Sequence, residues 1–188
     1  KNIKRIAKAV LKYGIQYLTL YTLSTENLKN RSSEELKHIF SLFEQLTNYL
    51  GEFVSNNARL NVIGDQSKLP EKTQKKLAKM VDDTKHHTKL VMTLAINYGG
   101  RDEIVRAVKK MLAKNLKLEE ITEEKLVDFL DTAGIPDVDL IIRTGGDQRL
   151  SNFLLWQSAY AELYFTPVFW PAFTTKDLDL AINWFNEQ

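Results

Sequence analysis

The chain has 188 residues, of which 44% are apolar and 27% charged, the balance of a globular protein rather than a disordered or fibrous one. It contains no cysteine, so disulfide frameworks, zinc-thiolate sites and thiol nucleophiles are excluded. A formal charge of +2 is too small to argue for nucleic acid as a partner, and the reducing cytoplasm is the simplest compartment. In chain order, Ile3, Ile6, Ala7 and Val10 share one face of a helix predicted over 1–13, and Gly14 stands where a helix end prefers glycine. The β-branched, aromatic and leucine-rich run 15–23 reads as a buried strand. Leu36, Ile39, Phe40, Phe43 and Leu46 form the stripe of one long helix over 33–56. A strand at 59–63, a charged helix from 70 to about 84 and a strand at 90–96 follow. The turn Asn97 to Gly100 opens a helix over about 101–114, and a helix near 123–130 leads to a strand at 138–142. Residues 151–160 are expected to be helical, 163–165 a short last strand and 175–185 a closing helix.

This alternation predicts an α/β fold: a single domain, a mostly parallel central sheet with helices on both faces and right-handed crossovers. The least charged stretch, Leu150 to Ala161, is too short to span a bilayer, and no basic-then-apolar leader pattern opens the sequence. In such sheets ligands bind outside the carboxyl ends of the strands. Three polar clusters fall there: Ser24-Thr25-Glu26-Asn27, Asn97 to Arg101, and Arg143 to Asn152.

The third cluster carries two glycines that can turn the backbone and present N–H groups, flanked by Arg143 and Arg149, whose guanidinium forks match phosphate oxygens. Ser151 is expected near the start of a helix, where an anion is favoured. The cluster thus describes a phosphate or diphosphate cradle, or else a tight turn in which the arginines pair with Asp147. Ser24 to Asn27 suits helix capping as well as chemistry. Asn97 and Arg101 suit a turn and a helix cap. Glu162 is the one formal charge between Arg149 and Lys176, and reads either as a metal ligand or as a buried structural acid. The aromatic-rich stretch Phe153 to Phe173 suits a core or a subunit interface. No Walker A or GxGxxG motif is present, which removes support from nucleotide hydrolysis and dinucleotide binding.

The motifs LSTEN (Leu23 to Asn27), Ile63-Gly64-Asp65, Asn97-Tyr98-Gly99-Gly100-Arg101, DLIIRTGG (Asp139 to Gly146), RLSNFLLWQ (Arg149 to Gln157), YAELYF (Tyr160 to Phe165) and Phe169-Trp170-Pro171 together resemble the cis-prenyltransferases. The resemblance runs in order over essentially the whole chain. It implies a transferase that condenses isopentenyl diphosphate units onto an allylic diphosphate, usually farnesyl diphosphate. The product would be a long-chain polyprenyl diphosphate such as undecaprenyl diphosphate, a lipid carrier for cell-wall or glycan synthesis. Arg143, Arg149 and Ser151 would hold the diphosphate of isopentenyl diphosphate, with Leu150 beside them. Ser24 and Asn27 would lie by the reacting carbons and assist proton removal. Thr25, Glu26, Leu28, Asn30 and Arg31 complete the implied substrate-binding set, although Leu28 and Asn30 stand where the family often has an aromatic residue and an arginine. Glu162 would bind Mg2+, reaching the neighbouring subunit's site in a homodimer whose interface is the aromatic stretch. The helices from 33 to 84 would wall a hydrophobic tunnel, and the lipid product would bring peripheral membrane contact. The family's Asp-Gly-Asn loop would fall before residue 1 and its arginine-rich tail after residue 188, so 1–188 is expected to be part of one family domain. A non-catalytic family subunit that binds and stabilises an active enzyme is the alternative.

Overall fold

The structure is a computed structural model that describes residues 2–188. Its elements are α1 (Asn2–Lys12), β1 (Tyr17–Ser24), α2 (Thr25–Asn30), α3 (Ser33–Gln45), α4 (Leu50–Ser55), β2 (Ala58–Ile63), α5 (Glu71–Thr84), β3 (Leu90–Tyr98), α6 (Gly100–Ala113), α7 (Glu123–Val127), β4 (Leu140–Thr144), β5 (Glu162–Thr166) and α8 (Thr175–Phe185). The α/β class with parallel strands is the one the alternation predicts. The chain packs as two compact units, residues 15–133 and a discontinuous one made of residues up to 14 with 134–188.

In the first of these units β3 lies between β1 and β2, parallel to both. All nine of its residues are buried, as its apolar run requires of a central strand. The β1–β3 ladder runs in register from Tyr17↔Val91 to Tyr21↔Ala95, then shifts twice and ends with Ser24 opposite Tyr98. Such irregularity at a strand end redirects side chains without breaking the sheet. The register thereby sets Ser24 and the end of β3 side by side.

The long helix expected over 33–56 is broken. The α-helix stops at Gln45, a 3-10 turn occupies Leu46–Tyr49, and α4 resumes at Leu50. Leu46 N–H donates to the Phe43 carbonyl, and the Thr47 hydroxyl donates to the Glu44 carbonyl at 2.8 Å. A hydroxyl competing for a helix carbonyl, followed by Asn48 and Gly51, explains why the apolar stripe does not hold one continuous helix.

In the discontinuous unit β4 and β5 form a parallel two-stranded ladder, from Leu140↔Glu162 to Thr144↔Thr166. The rings of Tyr164 on β5 and Trp184 on α8 pack with centroids 5.4 Å apart. Residues from α1 reach the far end of the chain: Asn2 Nδ2 donates to the Trp170 carbonyl at 2.5 Å and Arg5 Nη2 to the Phe173 carbonyl at 2.7 Å. The Tyr13 hydroxyl, just past α1, donates to Asp179 Oδ1 at 2.6 Å.

The helix expected over 151–160 does not form. Ser151 (φ 50°), Asn152 (φ 65°) and Leu154 (φ 44°) lie in the left-handed region, and the segment is a succession of turns. Left-handed backbone costs non-glycine residues roughly 1–2 kcal/mol each. Contacts made by this segment, among them Arg143 Nη1 to Ser151 Oγ at 2.7 Å, accompany that cost. No helix among the described residues is long and apolar enough to cross a membrane.

Candidate functional site

Arg143 sits near the carboxyl end of β4, half-buried, and its fork is engaged on both sides. Nη1 donates to the Arg149 carbonyl and to Ser151 Oγ at 2.7 Å, and Nη2 donates to Asp147 Oδ2 at 3.0 Å. Arg149 Nη2 donates to the same Asp147 oxygen at 2.6 Å. The structure thus brings Arg143, Arg149 and Ser151 together, as the phosphate-cradle reading requires. It also realises the competing expectation, because Asp147 pairs with both arginines.

Two features of that cradle are corrected. Gly145 (φ 96°) and Gly146 (φ 86°) adopt the conformations that favour glycine, but their N–H groups donate to the Val168 and Thr166 carbonyls at 2.9 and 3.0 Å. They tether the turn to the last residue of β5 and to the chain just beyond it rather than point at a ligand. Ser151 does not begin a helix, so no helix dipole assists an anion there. Leu150 lies between Arg149 and Ser151 in the same turn.

In the other unit, Ser24 caps α2: its Oγ accepts the Asn27 N–H at 3.0 Å. Capping, one of the two readings open for this segment, is thus realised, and it also defines the geometry. Thr25, Glu26, Asn27, Leu28 and Asn30 form the single short helix, and Arg31 closes it by donating its N–H to the Asn27 carbonyl. The Asn27 side chain is exposed and Ser24 is buried at the end of β1. Arg31 lies 3.6 Å from Glu35 in an exposed ion pair.

Asn97 is not in a turn but is the next-to-last residue of β3, with φ 49°; its Nδ2 donates to the Asp65 carbonyl at 2.8 Å while Asp65 N–H donates back to the Asn97 carbonyl at 3.1 Å. It does not cap α6, whose cap is Gly99. Behind this end of β3 lies a polar network that the motifs did not suggest. Glu103, 1% exposed, accepts the Tyr98 hydroxyl at 2.5 Å and the Asp131 N–H at 2.9 Å. Asp131 accepts Gly64 N–H at 3.0 Å, Arg106 Nη1 at 2.7 Å and Lys110 Nζ at 3.1 Å. Burial pushes the Asp131 carboxyl up, but the Arg106 and Lys110 bonds outweigh it and hold the group below the ordinary carboxylate value. A charged pattern such as Glu103, Arg106 and Lys110 along one helix normally reads as solvated surface, which is why only the fold reveals it.

Glu162 is exposed at the first position of β5, which rules out a buried structural acid. Parallel pairing sets it opposite Leu140, whereas Arg143 pairs with Phe165. Three residues of strand, about 10 Å, therefore separate their levels. No group of three or more His, Cys, Asp or Glu side chains among the described residues converges to cage a metal. A single exposed carboxylate nevertheless suits Mg2+, which takes one or two carboxylates and completes its shell with waters and phosphate oxygens.

The comparisons with known proteins agree with these observations. A prenyltransferase family model described as "Putative undecaprenyl diphosphate synthase" matches residues 1–188. An isoprenyl transferase of Chlamydia pneumoniae is 46% identical over the whole chain and 77% of its own length. One of Clostridium tetani is 47% identical over 97% of the chain and 73% of its own. Among solved structures, a probable undecaprenyl diphosphate synthase from Campylobacter jejuni superposes with a TM-score of 0.89 at 39% identity, covering 100% of this chain and 88% of the other. Lavandulyl diphosphate synthase from Lavandula x intermedia, solved in complex with dimethylallyl diphosphate, superposes at 0.94 with 34% identity, covering 100% of this chain and 83% of that one. The chain belongs to the cis-prenyltransferase family of undecaprenyl diphosphate synthase.

Proposed function

We propose that this protein condenses isopentenyl diphosphate with an allylic diphosphate such as farnesyl diphosphate, forming cis double bonds and a long-chain polyprenyl diphosphate of the undecaprenyl type. The observation that carries this reading is the convergence of Arg143, Arg149 and Ser151 at the carboxyl end of β4. Two guanidinium groups and a hydroxyl within one turn suit the many oxygens of a diphosphate. Leu150 would flank that headgroup.

In the reaction the allylic C–O bond breaks, diphosphate departs, and the double bond of isopentenyl diphosphate attacks the allylic carbon. A proton then leaves the new branch and restores a double bond. Ser24 Oγ accepts the Asn27 N–H, which leaves its own hydroxyl proton for a second partner, and the exposed Asn27 amide lies one turn away. That pair suits a relay for the departing proton. Thr25, Glu26, Leu28, Asn30 and Arg31 belong to the same helix and its end and would line the substrate.

Glu162 would hold Mg2+, which when bound neutralises charge on the departing diphosphate. Because Glu162 lies about 10 Å along the ladder from the level of Arg143, it suits service to a second copy's site better than to its own. A homodimer would also cover the exposed rings of Tyr160 and Phe169 that flank β5. Residues 1–188 would then be part of a single family domain with its chain tunnel, acting in the cytoplasm with its lipid product at a membrane surface.

The test is incorporation of labelled isopentenyl diphosphate onto farnesyl diphosphate by the full-length protein, with and without Mg2+. Metal-dependent formation of polyprenyl diphosphate is expected. Arg149→Ala should raise KM for isopentenyl diphosphate about tenfold to a hundredfold, the equivalent of losing one charge-assisted contact. Diphosphate binding without any condensation would overturn the enzyme reading.

A further inference from the structure

We infer that Asp147 is a built-in placeholder for the diphosphate, a carboxylate that occupies the Arg143–Arg149 pair and must swing away for a ligand to bind. The inference rests on the reading that these arginines hold a diphosphate, and it adds the device that sets how tightly and how selectively they do so.

One oxygen does the bridging: Asp147 Oδ2 lies 3.0 Å from Arg143 Nη2 and 2.6 Å from Arg149 Nη2. Without it two like charges would face each other across the turn. Its position is imposed by the backbone, since Gly145 and Gly146 are tied through their N–H groups to Val168 and Thr166 and deliver Asp147 four residues beyond Arg143. The members differ in freedom. The Arg143 side chain is 23% exposed and is also held by the Arg149 carbonyl and Ser151 Oγ. Arg149 and Asp147, at 63% and 46%, face solvent. The carboxylate can therefore rotate out while the Arg143 anchor stays in place.

Binding then becomes an exchange of anions. A diphosphate offers several acceptor oxygens to two forks, where the single bridging oxygen offers one, so it displaces the carboxylate readily. A monophosphate has fewer oxygens and less charge with which to compete. Asp147 thus lowers the affinity for every anion while raising the preference for diphosphate over phosphate.

The experiment measures binding of inorganic diphosphate and inorganic phosphate by calorimetry, with chelator present so that no divalent metal contributes. The parent, Asp147→Asn and Asp147→Glu are compared. Asp147→Asn is expected to bind diphosphate about fivefold to tenfold more tightly, the gain expected when one nearby like charge is removed. It should bind phosphate tighter by at least the same factor, so that the preference narrows. Asp147→Glu keeps the charge and should stay within about twofold of the parent. Unchanged or weaker diphosphate binding by Asp147→Asn overturns the placeholder and makes Asp147 a positioning residue for the arginines. Should that variant melt early, Asp147→Ser removes the same charge and gives the same readout. A parent that binds no diphosphate would instead remove the anion-site reading itself.

Discussion

The Tyr98 hydroxyl donates to Glu103 Oε2 at 2.5 Å, and neither side chain meets solvent. The pair closes the carboxyl end of β3 onto the first turn of α6, and Tyr98 is also the ladder partner of Ser24. Tyr98→Phe strips one donor from a buried carboxylate and should cost about 1–3 kcal/mol in urea denaturation. Burial, reinforced by the Glu103 charge, pushes the Tyr98 phenol far above its ordinary range. The unfolded phenol ionises near pH 10 while the folded one does not, so this contribution is present below about pH 10 and falls as pH rises beyond it. An alkaline stability profile should be flatter in Tyr98→Phe than in the parent.

Gly64 has φ 105°, and a Cβ there would stand 2.2 Å from the Ile96 carbonyl oxygen and 2.9 Å from that of Asn97. Both are backbone atoms of the central strand and have nowhere to go. Gly64→Ala therefore combines left-handed strain with a main-chain clash, and a loss of roughly 3–5 kcal/mol is expected. A melting temperature within a few degrees of the parent would show that the β2 end can separate from β3.

Asp131 ties β2, through Gly64 N–H, to Arg106 and Lys110 of α6. Its carboxyl is held below the unfolded value, so the stabilisation is fully present above about pH 4 and is lost as pH falls through the folded value. Asp131→Ala leaves a half-buried Arg106 without its main partner and should cost about 3–5 kcal/mol at neutral pH, by the precedent of breaking buried pairs. Its stability should also be less sensitive to acid than the parent's, a difference that denaturation at pH 3 and pH 7 reads directly.

Ser24 serves the cap of α2 whatever else it does. Ser24→Ala should cost about 0.5–2 kcal/mol from the cap alone. Ser24→Asn retains a capping oxygen but not the hydroxyl. If the hydroxyl assists proton removal, Ser24→Asn keeps the melting temperature and loses kcat, whereas a purely structural Ser24 predicts parental kcat in Ser24→Asn.

The strands and most helices were readable because their patterns are strong: nine buried residues in a row in β3 leave few alternatives. Gly14, at φ 71° beyond α1, marks that helix end as its sequence position implies. What local pattern missed was decided by contacts between distant residues. The apolar stripe through Leu46 ignores the Thr47 hydroxyl that breaks the helix. Residues 151–160 have acceptable helix composition, yet Ser151 and Asn152 turn left-handed where Arg143 reaches across. The arginine cluster was visible as chemistry, while the sharing of Asp147 Oδ2 and the use of the Gly145 and Gly146 N–H groups were not. Asp131 gave no signal at all, since its partner Arg106 lies 25 residues away.

The discontinuous unit has a consequence for the order in which the chain is made. Helix α1 leaves the ribosome well before its partners: Trp170 and Phe173 follow about 168 residues later. At about 5–20 residues per second, that is a wait of roughly 10–30 s. Throughout it, the backbone carbonyls that Asn2 and Arg5 bond are not yet in place. The intervening residues 15–133 contain all three strands of their own sheet and can pair as they emerge. Vectorial synthesis therefore lets residues 15–133 build their sheet before α1 can meet these late partners.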